Sequence, residues 1–304
     1  MKHLFIINPV AGKGKALEYI PEIKKIFSKR KNEVYFIETT ERPGHATELV
    51  KSYVGKDTYR VYSIGGDGTL NEVLNGMAGS DSSLAVVPAG SGNDFIKNLE
   101  NYSDLDTTKL AILESLIDGT EKPIDIGKVN NKYFINISSI GFDAEAAYHA
   151  AKFKKIPFFS GMMAYIFGAL VSLIRFSRNI LNITIDGKSI KDKILIFIVA
   201  NGKCYGGGMQ AVPTANVYDG LLDVCIIRSV NRLKFLRFFS TFIKGQHSKV
   251  KEVSFHKGKE IKVAPNNKIA LMIDGEALII DHEVVFTIIP KGIKVVIPRS
   301  VRTA

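Results

Sequence analysis

Apolar residues in the first third of the chain form short blocks of two alternating kinds. Residues 4–7, 34–37, 61–64 and 84–87 are compact apolar runs that predict buried strands. Between them, Leu17, Ile20, Ile23 and Ile26-Phe27 recur at helical spacing over 16–30, and 45–54, 69–77 and 106–118 predict further helices. Pro21 leaves the start of the first helix open, because proline fits only a first turn. Strand–helix alternation of this kind argues for a parallel sheet covered on both faces. Near residue 123 the pattern changes. Short β-rich runs follow at 182–185, 194–199, 221–227, 269–273, 277–280, 284–289 and 293–297, with Asp186-Gly187 and Asp274-Gly275 as turn pairs. These predict a sheet or sandwich, with helices inserted near 143–178 and 231–245. The expected architecture is an α/β domain over 1–123 and a β-rich domain over 124–304, whose last strand or tail is free to return to the first domain.

Residues 156–174 carry no charge and are flanked by Lys154-Lys155 and Arg175. Their length alone would span a bilayer. Pro157, Gly161 and Gly168 interrupt them, and a single span would place the strands on either side in different compartments. A buried or interface-lying helix is therefore expected.

Apolar residues make up 46% of the chain and charged ones 23%, enough for packed cores and unlike a disordered tail. Lys and Arg number 41 against 30 Asp and Glu, and this net charge of +11 favours an anionic partner. Cys204 and Cys225 are the two cysteines, too few for a disulfide framework or a four-cysteine zinc site. Met1-Lys2-His3 leads straight into a strand, so no signal peptide is expected.

The strongest chemical feature is Gly65-Gly66-Asp67-Gly68-Thr69-Leu70-Asn71-Glu72, placed between a predicted strand and a predicted helix. Three glycines let main-chain N–H groups approach a phosphate without obstruction from Cβ. Thr69 and Glu72 have capping-box spacing, and the helix N-terminus favours anions. Asp67 would repel a phosphate unless a cation lay between them, which suggests Mg²⁺ bound with a nucleotide. A second loop, Pro88-Ala89-Gly90-Ser91-Gly92-Asn93-Asp94, follows the next strand at the same sheet edge, where α/β sheets bind ligands. A third, Asn8-Pro9-Val10-Ala11-Gly12-Lys13-Gly14-Lys15, suits a phosphate cradle but is not a Walker A loop.

In this order, with Thr40 and Gly44-His45-Ala46, Asp219-Gly220-Leu221-Leu222-Asp223 and Asp274-Gly275-Glu276, the segments resemble the diacylglycerol-kinase catalytic domain family, above all its soluble bacterial lipid kinases. The resemblance covers nearly the whole chain. It implies an N-terminal α/β/α nucleotide-binding domain, a C-terminal β-rich sandwich and an active site between them. Asn8, Gly12, Thr40, Gly65, Gly66, Asp67, Gly68, Thr69, Leu70, Asn71, Ser91, Asn93 and Asp94 then look like the ATP-binding set. Asp67 would organise phosphate or Mg²⁺, and Asp94 would support it. Ser91 stands where many members have Thr, and both supply a hydroxyl. A further Mg²⁺ would be held by Asp219, the main chain of Leu221 and a ligand near Asn216. The general base would be Asp274, with Glu276 the competing candidate.

The expected activity is transfer of the γ-phosphoryl group of ATP to a lipid hydroxyl, most plausibly of diacylglycerol to give phosphatidic acid. An NAD kinase-like enzyme and a non-catalytic lipid- or nucleotide-binding regulator are the rivals. Ten Lys or Arg against two Glu lie between Arg228 and Lys262. Leu233, Leu236, Phe239, Phe242 and Ile243 recur there near helical spacing, with Arg232, Lys234, Arg237 and Lys244 interleaved. This reads either as a core helix or as a basic amphipathic helix at an anionic membrane surface. The expected setting is cytoplasmic and peripheral at the inner face of the membrane, with a membrane lipid as substrate, a homodimer allowed and no nucleic-acid partner. Cys204 and His45 are expected to be structural.

Overall fold

The computed structural model describes residues 1–90, 92–102, 108–153, 171–172 and 179–300, which form two compact units. Unit 1 comprises Met1–Ile126 and the chain from Pro290 onward; unit 2 is Gly127–Ile289. Most of segment 156–174 lies outside the described residues. Among those that are described, no helix is long and apolar enough to cross a membrane.

Unit 1 runs β1 (Lys2–Ile7), α1 (Tyr19–Phe27), β2 (Val34–Thr39), α2 (His45–Val54), β3 (Arg60–Gly65), α3 (Asp67–Met77), β4 (Ser83–Pro88), α4 (Lys109–Ile117) and β5 (Thr120–Val129), whose last residues enter unit 2. β1 pairs in parallel with β2 and β3, and β3 with β4. β1, β3 and β4 are buried along almost their whole length, while β2, with a single partner, is half-exposed. Continuous apolar runs are what a sheet covered on both faces requires. Pro21 sits in the first turn of α1, preceded by a 3₁₀ segment at Ala11–Glu18, so the helix begins later than the apolar spacing implied. Buried Arg60 donates to the carbonyls of Leu116 and Ile117 at 3.0 and 2.6 Å, placing a cation at the C-terminus of α4 where the helix dipole favours one.

Unit 2 contains β6 (Lys132–Phe134), β7 (Ile137–Gly141), α5 (Phe142–Phe153), β8 (Asn179–Ile185), β9 (Lys188–Ala200), β10 (Leu222–Arg228), α6 (Arg232–Ile243), β11 (Val253–Gly258), β12 (Glu260–Pro265), β13 (Ile269–Ile273), β14 (Glu276–Ile280) and the first part of β15 (Val284–Ile297). Its pairings are antiparallel: β14–β13–β7–β9–β8–β12–β15 in order, with β10 between β9 and β11. Along β10, Leu222, Val224 and Ile226 join one apolar cluster, and Cys225 and Ile227 the opposite one. Phe142, Phe235 and Phe242 of α5 and α6 belong to the second. Two-sided burial explains why these strands read as unbroken apolar runs rather than alternating ones.

The runs at 284–289 and 293–297 are one strand, not two. It passes Lys291 at φ 52°, whose N–H donates to the buried Asp125 carboxylate at 2.8 Å. Beyond that point Lys294 and Val295 pair in parallel with Ser83 and Leu84, adding a strand to the unit 1 sheet. The chain thus divides at two places, after Ile126 and after Ile289; the sequence placed the first at about 123 and left the return of the last strand to the first unit open.

Asp143, on α5 and 4% exposed, is pushed up to about 6 chiefly by burial; the Tyr205 hydroxyl donates to it at 3.0 Å. Below about pH 4 the carboxyl is protonated in both folded and unfolded chains. Between pH 4 and 6 the unfolded chain ionises first, so stability falls as pH rises. Above pH 6 the loss levels off at about 3 kcal/mol. Asp143→Asn removes this fall. Urea unfolding at pH 4 and pH 7 is expected to show the variant gaining about 3 kcal/mol on the wild type across that interval; parallel pH profiles would remove Asp143 as the cause.

Candidate active site

In unit 1 the C-terminal ends of β1, β2, β3 and β4 lead into the loops singled out by sequence. Their main chains continue the sheet: Asn8 N–H donates to Ile64 O, Thr40 N–H to Ile7 O and Ala89 N–H to Gly65 O, all at 2.9–3.1 Å. A cavity of about 280 Å³ opens among Asn8, Pro9, Val10, Thr40, Glu41, Arg42, Pro43, Gly68, Thr69 and Glu72. Asn8 Nδ2 donates to Thr69 Oγ1 at 3.0 Å, tying the first loop to the third.

Glycine is required where these loops touch. A Cβ on Gly90 would lie 2.3 Å from Gly66 Cα and 2.9 Å from Gly66 N. A Cβ on Gly12, which has φ 59°, would lie 2.6 Å from the Ala89 carbonyl oxygen. Lys13 follows at φ 60°, a conformation non-glycine residues seldom adopt outside functional loops. At Gly68, by contrast, a Cβ would meet nothing within 4 Å. Its face is open to a ligand.

Asp67 is the centre of this arrangement. Its Oδ1 accepts the N–H groups of Asp94 at 2.9 Å and Phe95 at 3.4 Å, so it pins the β4 loop to the N-terminus of α3. Burial first, and then the Asp94 carboxylate, push its pKa up. Asp94 is 3% exposed and pairs with Lys97 Nζ at 2.6 Å. A half-buried carboxylate beside a second, buried one is relieved by a cation, so the residues present fit Mg²⁺ brought with a phosphate chain. Asn93, at φ 50°, exchanges hydrogen bonds with the main chain of Gly90 and shapes the loop. Leu70 and Asn71 are buried beneath it. Ser91 lies outside the described residues.

The capping box expected from Thr69 and Glu72 is not formed. Gly66 is the N-cap of α3, no side chain caps it, and Thr69 Oγ1 accepts from Asn8 instead. Glu72 serves another helix: its two oxygens accept the N–H groups of Gly44 and Ala46 at 2.9 and 3.2 Å at the start of α2. Gly44 has no side chain to cap with, and Glu72 replaces it. His45 Nδ1 accepts Glu41 N–H at 3.1 Å, a local turn contact.

In unit 2, Asp274 and Gly275 have φ 44° and 90° and join β13 to β14. The Asp274 carboxylate is deeply engaged. Oδ2 accepts Ile135 N–H at 2.8 Å, and Oδ1 accepts Asn136 and Ile137 N–H, each at 3.0 Å. Glu276 is different: its side chain is 66% exposed and pairs with exposed Lys132 at 2.7 Å. The residue favoured by sequence as a base therefore anchors the 135–137 main chain, and its neighbour presents the more available carboxylate.

The residues expected to hold a second Mg²⁺ are differently occupied. Asn216 Oδ1 accepts Tyr218 N–H and Asp219 Oδ1 accepts Leu221 N–H, both at 3.1 Å. Asp219 Oδ2 binds Lys257 Nζ at 2.7 Å, and that ammonium lies 3.2 Å from Asp223 Oδ2. The Lys257 ammonium holds the one carboxylate the divalent ion was expected to use, and a second cation there would be repelled, so with Lys257 so placed this set does not fit one. Among the described residues no three His, Cys, Asp or Glu side chains gather to hold a metal. Lys257 escaped the sequence reading because its pairing with β10 is a register fact, with no local motif to mark it.

The fold and site define a two-unit protein with a cluster of glycine-rich loops at the edge of a parallel sheet and a β-sandwich-like second unit. The diacylglycerol kinase catalytic domain model matches residues 2–129, and the YegS C-terminal NAD kinase beta sandwich-like domain model matches residues 136–297. The diacylglycerol kinase of Bacillus subtilis (strain 168) is 31% identical over 273 residues, covering 89% of this chain and 88% of that protein. The diacylglycerol kinase of Staphylococcus carnosus (strain TM300) is 30% identical over 273 residues, 89% of this chain and 87% of that one. A crystal structure of a diacylglycerol kinase from Bacillus anthracis str. Sterne superposes with a TM-score of 0.69 at 24% identity, over 98% of this chain and 97% of that one. A second solved structure from that organism reaches 0.73 at 26% identity, over 99% and 98%. The chain belongs to the diacylglycerol kinase family.

Proposed function

We propose that the protein is an ATP-dependent lipid kinase that phosphorylates diacylglycerol to phosphatidic acid. The observation that carries the reading is Asp67, half-buried at a helix start and joining two glycine-rich loops beside an open cavity. Phosphoryl transfer needs little covalent chemistry from a protein; it needs phosphates held in line and their charge offset. Main-chain N–H groups around Gly66–Gly68 and the α3 N-terminus hold the phosphate oxygens. Asn8, Thr40 and Thr69 line the cavity that takes the nucleotide. Asp67, supported by Asp94, would hold Mg²⁺ arriving with ATP, which would offset the phosphate charge.

Glu276 accepts the proton. The lipid oxygen forms a bond to the γ-phosphorus as the bond from that phosphorus to the β–γ bridging oxygen breaks. ADP leaves, and the hydroxyl proton passes to the Glu276 carboxylate. Asp274 holds the turn that carries it.

α6 supports a reading of membrane association. Phe235 and Phe242 are buried, whereas Arg232, Lys234 and Arg237 are exposed and Leu233 is 70% exposed. The side chains of Leu236, Phe239 and Ile243 lie outside the described set. An exposed leucine among cations suits peripheral contact with an anionic leaflet, at about 1 kcal/mol per surface cation.

Incubation with labelled ATP, Mg²⁺ and a panel of dispersed lipids, with NAD as control, is expected to label phosphatidic acid when diacylglycerol is present. Label on NAD and on no lipid would refute the reading. In the same assay, neutralising Arg232, Lys234 and Arg237 together is expected to weaken sedimentation with anionic vesicles, while activity on a detergent-dispersed short-chain diacylglycerol is retained.

A further inference from the structure

Lys257 lies on β11 directly opposite Asp223 on β10. Its ammonium reaches both that carboxylate and Asp219 in the preceding turn, at 3.2 and 2.7 Å. The Asp223 side chain is 4% exposed and also accepts the Thr214 hydroxyl at 3.3 Å; the Asp219 side chain is 25% exposed and accepts Leu221 N–H. Two carboxylates, one of them buried, therefore share one ammonium, carried by a partly exposed side chain whose backbone strand register places opposite Asp223. Buried like charges are costly unless a cation lies between them. A divalent ion on Asp219 would have to displace this ammonium or tolerate its repulsion.

We propose that Lys257 is the built-in cation of the 216–223 turn, and that its ammonium replaces a divalent ion in unit 2. The proposal does not rest on the kinase reading, since it concerns how one turn is neutralised. It separates two uses of Mg²⁺ in this chain: one that comes with a phosphate ligand in unit 1, and a structural one in unit 2 that is not needed.

Thermal unfolding of the nucleotide-free full chain tests it without recourse to activity. The wild-type midpoint is expected to be the same in excess EDTA and in millimolar MgCl₂. Lys257→Met is expected to lower the midpoint in EDTA by roughly 3–8 °C, with most of the loss recovered in MgCl₂. Adding Asp219→Asn to Lys257→Met should abolish that recovery. A wild-type midpoint that rises with Mg²⁺, and ceases to rise in Asp219→Asn, would overturn the proposal; so would a Lys257→Met midpoint equal to wild type in EDTA. Mn²⁺ titrated into ¹⁵N-labelled wild type needs no variant. The amide signals of Tyr218 and Leu221 are expected to stay sharp, and their selective broadening would show a divalent ion where Lys257 is assigned.

Discussion

Glu276→Gln is expected to lower turnover by about 10²–10⁴-fold, the usual worth of a positioned general base, with the unfolding midpoint almost unchanged. The expectation rests on contrast within one turn. Glu276 is 66% exposed, and its ion pair with Lys132 is a surface one, the kind that contributes about 0–1 kcal/mol. Removing its charge costs the fold little. Asp274 accepts three main-chain N–H groups through both oxygens. Asp274→Asn must turn an NH₂ toward at least one of those donors, which should cost about 1–3 kcal/mol of stability. The two variants are thus separable by measuring kcat and urea stability together. Glu276→Gln should move kcat alone, and Asp274→Asn should move both. A stable, inactive Asp274→Asn beside an active Glu276→Gln would exchange the roles. Full activity in both would leave the turn a hairpin with no part in the chemistry.

Gly90→Ala should be the most damaging change in the phosphate cradle. The new methyl would lie 2.3 Å from Gly66 Cα, and backbone cannot yield as a flexible side chain can. Ala89 N–H is bonded to Gly65 O at 3.1 Å, so separating the loops breaks the sheet edge and draws Asp94 N–H from Asp67. A loss of about 1–3 kcal/mol in stability is expected from the overpacking, with ATP affinity lowered at least ~100-fold, about 2.7 kcal/mol. Gly68→Ala provides the control. Its Cβ meets nothing within 4 Å and the position is helical, so stability should hold or rise by about 0.5–1 kcal/mol. ATP affinity should still fall, because the methyl enters the open face. Calorimetric titration of ATP alongside unfolding checks both. Unchanged ATP binding in Gly68→Ala would remove that N–H from the phosphate site.

Local pattern carried much of the site. The 65–72 run announces a phosphate loop because three glycines around one aspartate exceed what a turn needs, and the structure puts Gly68 at an open face beside Asn8, Thr40 and Thr69. What local pattern did not show is whom each side chain meets. Thr69 and Glu72 have the spacing to cap each other. Instead Thr69 accepts from Asn8, 61 residues away, and Glu72 caps α2, whose own Gly44 cannot. Asp274 read as a base because it stands in an Asp-Gly turn, but the three N–H groups it binds belong to a segment more than 130 residues earlier.

The sequence by itself determined the strand–helix alternation of unit 1 and the β-rich character of unit 2, but not β5, β6, β7, β11 or β12, and it showed β15 as two strands. Apolar period and glycine placement are local properties, so β1, β3 and β4 with their loops, the helix of α2 and the strand Ile269–Ile273 could be read directly. It also determined the family, through motifs in order. The tertiary structure alone decided the pairings: that β15 serves both units, that Asp67 pins the β4 loop, and that Lys257 neutralises Asp219 and Asp223. The physical reason is range. Propensity and periodicity act over a few residues, whereas the burial of a charge, the satisfaction of an N–H group and the register of two strands depend on partners that only the folded chain brings together.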